Sequence, residues 1–281
     1  MAQQLRKTLL VVEYEMRRSL ARKRIIMLLS TTFLLQIGIY LVFTRLPSRF
    51  VDPFTAHAWI VGVVAPSTAL VHVLALTVGA STSAEEYEAG TADYWFTRPL
   101  SRHVYFLGKT LGGFLLIAAL VATYSLLALG ISWFVFGPQS RLDVFAVAVA
   151  ASAASSLTFY AIGLAVGEVV RRSMISTILA GTVFFGSFLT ESYANIVAVI
   201  GNDRTLLEAV KLLPTWASVG LTSTLVLENI GLPASFLINV FSRLSLQDLP
   251  LAALNLALYT AASIAVAWIK FRYSDVTRRA Q

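Results

Sequence analysis

The sequence predicts an all-α polytopic membrane protein: six transmembrane helices, an N-terminal amphipathic interfacial helix, and short outer re-entrant helices between spans five and six. Three observations carry this. Of 281 residues, 57% are hydrophobic and only 13% charged, with a mean hydropathy of +0.74, whereas soluble domains average roughly 45–50% apolar and about 25% charged. The apolar residues gather into uncharged runs long enough to cross a bilayer. Lys and Arg are also unevenly placed: with six spans, 16 of the 22 fall on the side that holds both termini, while the acidic residues divide 8 against 7. That bias marks the termini as cytoplasmic. The net charge of +7 is therefore an orientation signal, which leaves nucleic acid without a role as partner. The chain has no cysteine, which excludes disulfides and thiolate metal sites.

In chain order, residues 1–24 form a basic cytoplasmic lead with Arg6, Lys7, Arg17, Arg18, Arg22, Lys23 and Arg24. Leu5, Leu9, Val12 and Met16 recur at three and four residues, the spacing of an apolar stripe on an interfacial helix. Residues 25–281 form the six-span domain. Span one runs from Ile25 to Thr44, too long for a signal-peptide core, and span two from about Ala58 to Ala80. Span three runs from about Thr110 to Phe136, and span four, rich in small residues from Ala146 to Ser156, ends near Val170. Small residues permit close helix approach. Arg171 and Arg172 make a tight inner turn. Span five starts near Met174 and passes Glu191 to Ile200. The outer segment 201–248 holds two amphipathic pieces, one with Leu206, Leu207, Val210 and Leu213, the other with Phe236, Leu237, Val240, Phe241 and Leu244. Each is too short to span. Span six, about Leu249 to Ile269, ends in Lys270, Arg272, Arg278 and Arg279.

The most specified stretch is the cytoplasmic loop 83–109. Four carboxylates, Glu85, Glu86, Glu88 and Asp93, precede Arg98, Arg102 and Lys109. Its residues predict a short helix, a break and a second helix: Ser83 as an N-cap, Gly90 as a C-terminal stop at positive φ, and Pro99 where no helix continues. The run Glu86, Glu88, Gly90, Thr91, Pro99, Ser101, Arg102, Gly108, Lys109 resembles the cytoplasmic loop of ABC transporter permeases of the second exporter class, with Tyr87, Tyr94, Trp95 and Phe96 departing from the pattern.

The resemblance implies a permease subunit of an ATP-driven exporter, paired as a homodimer in the cell membrane. Two copies of a cytoplasmic ABC ATPase would bind ATP and Mg, with no cofactor in this chain. It implies coupling through Glu85, Glu86, Glu88, Gly90, Thr91, Arg98, Pro99 and Arg102, with the acidic helix set in a groove of the ATPase. Arg98 and Arg102 would pair with the partner or with anionic lipid headgroups. The competing class is a membrane scaffold or sensor whose loop recruits a partner without transport.

The chemistry-bearing residues offer little else. Gly108-Lys109-Thr110 matches the end of a P-loop, but His103 stands where that motif needs glycine. Glu85-Glu86 lacks the arginine expected beside a paired-Glu protease centre, and three scattered histidines do not make a metal site. An intramembrane enzyme would have to draw on His72, Glu191 and Asn195, which sequence alone does not bring together.

Overall fold

The computed structural model describes residues 2–47, 51–97, 100–201, 205–230 and 244–273. Arg98 and Pro99 lie outside them, as do Arg278, Arg279 and most of the second outer amphipathic piece. Helix α1 (Ala2–Leu20) is followed by α2 (Lys23–Phe43), α3 (Trp59–Thr68), α4 (Leu70–Glu88), the single-turn α5 (Ala92–Phe96), α6 (Arg102–Phe136), α7 (Leu142–Val170), α8 (Ser173–Gly201), α9 (Thr205–Val210), α10 (Pro214–Ile230) and α11 (Leu249–Tyr273). Among the described residues, five helices are long and apolar enough to cross a membrane, and α3 with α4 makes a sixth if that pair is one span bent by 47°.

The bend has a local cause. Pro66 lies within α3 and removes a helical donor, and Ala69 at the junction leaves helical geometry (φ −141°, ψ −52°). Below the bend the helix does not stop at Ala80, as the hydropathy predicts, but continues to Glu88. Thr77, Ser81 and Thr82 return their hydroxyls to the carbonyls of Val73, Thr77 and Val78 at 2.7–2.8 Å, so this polar run satisfies itself without breaking the helix. Ser83 is consequently a buried mid-helix residue, not a cap.

Helix α7 is the axis of the bundle, touching α3, α4, α6, α8, α10 and α11. Its contact with α4 is backbone on backbone. A Cβ at Gly163 would collide with the Leu76 carbonyl oxygen, one at Gly79 with that of Tyr160, and one at Gly167 would stand 2.6 Å from that of Ala80. The Gly163/Gly167 spacing places both on one face one turn apart. The small residues upstream, including Ala148, Ala151, Ser152 and Ser155, are also buried.

Across the middle of the bundle, Gln36 of α2 donates to the carbonyls of Gly62 (2.9 Å) and Tyr124 (3.0 Å). Tyr40 donates to the Ala128 carbonyl at 3.1 Å. The periodicity of the outer segment misses its main element: α10 packs between α3, α7, α8 and α11. Its buried face mixes Thr215, Ser218, Thr222 and Ser223 with Trp216, Val219 and Val226, so its apolar residues do not form a continuous run in sequence although it lies inside the fold.

Candidate functional site

The loop 83–109 forms an elbow. Helix α4 stops where the sequence expects: Gly90 takes φ +67°, the Gly90 N–H bonds the Tyr87 carbonyl (3.2 Å) and the Thr91 N–H reaches back to that of Glu86 (2.9 Å). This is the double bond pattern of a Schellman stop. Helix α5 follows, and Ser101 then caps α6 by accepting from the Val104 N–H at 3.3 Å. Helix α6 is 35 residues long, roughly 52 Å against a hydrocarbon core of about 30 Å. It starts eight residues before the expected Thr110, so its first turns stand beside the elbow outside the apolar layer.

Glu85 and Glu86 lie near the C-terminal end of α4, where the helix dipole disfavours them, and they are held by cations from elsewhere. Glu86, 2% exposed, pairs with Lys109 at 2.8 Å and with Arg18, and it accepts from the Tyr105 hydroxyl. Lys109 also meets Glu15 at 3.4 Å and the Thr82 carbonyl at 2.6 Å. Glu85 pairs with Arg22 at 2.8 Å, and Arg22 also reaches Glu15 at 3.3 Å. Burial opposes charge on Arg18, but Glu15 and Glu86 outweigh it and hold its guanidinium above its ordinary value. Charges this buried are tolerable only because each is paired and hydrogen-bonded.

Of the sequence-predicted residues, Glu85 and Glu86 therefore turn inward to a cluster with Glu15, Arg18, Arg22 and Lys109, while Glu88, Gly90, Thr91 and Arg102 are exposed. Arg102 donates to the Arg272 carbonyl at 2.7 Å, tying the start of α6 to the end of α11. The exposed edge comprises Glu88 to Thr91, Tyr94, Thr97 and Ser101 to His103.

Helix α1 is part of this site. At Gly108 a Cβ would meet Val11 Cβ at 2.6 Å, and at Gly112 it would meet the Val12 carbonyl oxygen at 2.9 Å. These two glycines, one turn apart, let α1 lie directly on α6. Its polar side, with Glu15 and Ser19, faces the protein, and Leu5, Leu9 and Leu10 face outward, so the expected apolar stripe is divided: Val12 is buried and Leu5 and Leu9 are not. The residues that departed from the loop pattern close the assembly. Trp95 packs edge-on against Tyr14 of α1 (ring centroids 4.8 Å) and lies 5.8 Å from Tyr105 of α6. Sequence reasoning missed Glu15, Arg18 and Tyr105 as parts of the site; the signal for the first two was a Glu-x-x-Arg on a basic helix, indistinguishable alone from a surface pair.

His72, Glu191 and Asn195 are all buried. The His72 ring stacks on Phe184 at 5.9 Å and meets Phe159 edge-on at 5.5 Å. No group of acidic residues and histidines fit to hold a metal occurs among the described residues.

Residues 9–276 match the family model described as ABC-2 family transporter protein. No curated protein matches the chain.

Proposed function

Since the chain belongs to the ABC-2 transporter family, whose members are multi-pass membrane components that associate with an ATP-binding subunit, we propose that it is the permease of an ATP-driven exporter. It works as a homodimer in the cell membrane with both termini cytoplasmic. Two separate ABC ATPase subunits bind ATP and Mg and dock on the exposed elbow. The observation that carries this reading is the buried ion cluster. An edge at Glu88 to Thr91, Tyr94, Thr97 and Ser101 to His103 is available to a partner, and directly behind it Glu85 and Glu86 are ion-paired to α1 and α6. A push on that edge is carried into the spans as a rigid-body displacement rather than absorbed by a soft loop. Glu86 acts in this scheme as the inner anchor of the elbow, while Glu88, Gly90, Thr91 and Arg102 form its contact face.

Lys109, at the end of the P-loop-like triplet, is committed to Glu86, Glu15 and the Thr82 carbonyl. That commitment supports the reading in which nucleotide chemistry belongs to the partner. Helix α8 turns Met174, Ile178, Leu189 and Tyr193 outward, and such a surface fits lipid or the second copy.

The test is co-purification of the full chain with the ATP-binding subunit co-expressed with it. Thr97→Arg places a bulky charge on the contact face without touching the ion cluster. It is expected to weaken association at least tenfold, about 1.4 kcal/mol, with an unchanged melting temperature. Undiminished association and undiminished ATP hydrolysis by the complex would remove the elbow from the mechanism.

A further inference from the structure

The last turn of α4 reaches past the ion cluster to the start of α8. Helix α7 ends at Arg171 in the left-handed region (φ +59°), and α8 begins two residues later at Ser173. The first N–H groups of a helix need an acceptor, ordinarily the side chain at the N-cap. Arg172 occupies that position and its guanidinium has nothing to accept with. The acceptor comes instead from another helix: the Ser173 N–H donates to Glu88 Oε2 at 3.1 Å, and the Ser173 hydroxyl donates to Glu85 Oε1 at 3.4 Å. Between them, Tyr87 donates to Glu168 of α7 at 2.9 Å, and the Arg171 guanidinium covers its ring at 4.5 Å. Three residues of one helical turn thus hold the α7–α8 junction, and two carboxylates meet the positive end of the α8 dipole.

We propose that Glu88 is a positioning residue which caps α8 in trans, so that displacement of the elbow is delivered to α8 as well as to α4 and α6. The proposal rests on the reading that an ATPase drives the elbow, and it names the span that receives the motion. Helix α8 suits that role because one stripe, with Ser176, Ala180, Phe184 and Ala194, packs inward while Met174, Ile178, Leu189 and Tyr193 face out. Its N-terminal end is bound to α4 through Glu85 and Glu88, so a movement of that turn reaches α8 directly.

The chain lacks cysteine, so spin labels can be placed at Met27→Cys on α2 and Met174→Cys on α8, positions 65% and 67% exposed. The distance between them is read in the complex with its co-expressed ATPase, nucleotide-free and vanadate-trapped. The labelled parent is expected to shift between the two states. Glu88→Ala, read at an ATPase concentration that saturates the complex, is expected to lose the shift, and Glu88→Gln, whose amide oxygen still accepts, to keep most of it. Adding Arg172→Ser to Glu88→Ala supplies α8 with its own cap. This is expected to restore the melting temperature but not the shift, whereas a purely structural role for Glu88 would see both restored. Recovery of the shift in that double variant, or an intact shift in Glu88→Ala, overturns the proposal alone. A parent chain that binds no ATPase overturns the parent reading and this proposal together.

Discussion

Replacing Lys109 with methionine tests whether the elbow is clamped from behind. The substitution keeps the alkyl stem and removes a charge that is about 1% exposed, 2.8 Å from Glu86 and 3.4 Å from Glu15. At an effective dielectric of about 20, the gross attraction to Glu86 is about 6 kcal/mol and to Glu15 about 5 kcal/mol, set against several kcal/mol of desolvation per ion. Removing one member leaves a carboxylate under-compensated, so Lys109→Met is expected to cost about 3–5 kcal/mol. Glu86→Gln, which leaves Lys109 and Arg18 each short of one carboxylate, is expected to cost a similar amount. The pair of substitutions restores neutrality and should cost less than their sum by about 0.5–3 kcal/mol. Denaturation of the purified chain in mixed micelles, followed by circular dichroism, measures all three. Additivity within about 0.5 kcal/mol would show that the two charges do not act on each other and would refute the clamp.

Gly163→Leu forces a side chain into the Leu76 carbonyl and should separate α4 from α7 at a cost of about 1–3 kcal/mol or more. Gly186→Leu, with nothing within 4 Å of its Cβ position, should stay within about 0.5 kcal/mol; equal losses in denaturation would count against the backbone contact. Gly90→Ala places a Cβ at φ +67° and should cost about 1–2 kcal/mol, read as a lower melting temperature. On the face opposite the termini, burial and then Arg141 hold His57 below its ordinary 6.5, and its Nε2 lies 2.9 Å from the Ser140 hydroxyl. The folded turn favours the neutral ring. Its stability is therefore intact above pH 6.5 and lost as pH falls through the depressed folded value. Hydrogen exchange across residues 137–144 should accelerate in that acid window, and a His57 titration midpoint at or above 6.5 would contradict this.

What the sequence makes legible is local. The stop at Gly90 depends on backbone chemistry within a few residues, so it can be read directly. The class and the apolar spans follow from run length. What is hidden depends on distant partners: Glu86 is a plausible docking carboxylate until Arg18, 68 residues away, and Lys109 are seen to enclose it. Ser83 resembles a cap because Ser and Thr often are, yet here the neighbouring hydroxyls bond back to the helix they stand on. Helix α10 escapes a hydrophobicity reading because its buried face interleaves Thr215, Ser218, Thr222 and Ser223 with Trp216, Val219 and Val226, which breaks the apolar run. The departures at Tyr87 and Trp95 become intelligible only in three dimensions, where one reaches the α7–α8 turn and the other seats the elbow on α1.

A photo-crosslinking residue at Thr97, on the exposed edge of the elbow, tests the central claim most directly when irradiated in native membranes. The predicted result is one dominant adduct with an ATP-binding subunit, formed from the cytoplasmic side and changed in yield by ATP. An elbow that reacts only with reagents supplied from outside the cell, or that yields no such adduct under any nucleotide condition, would contradict the account.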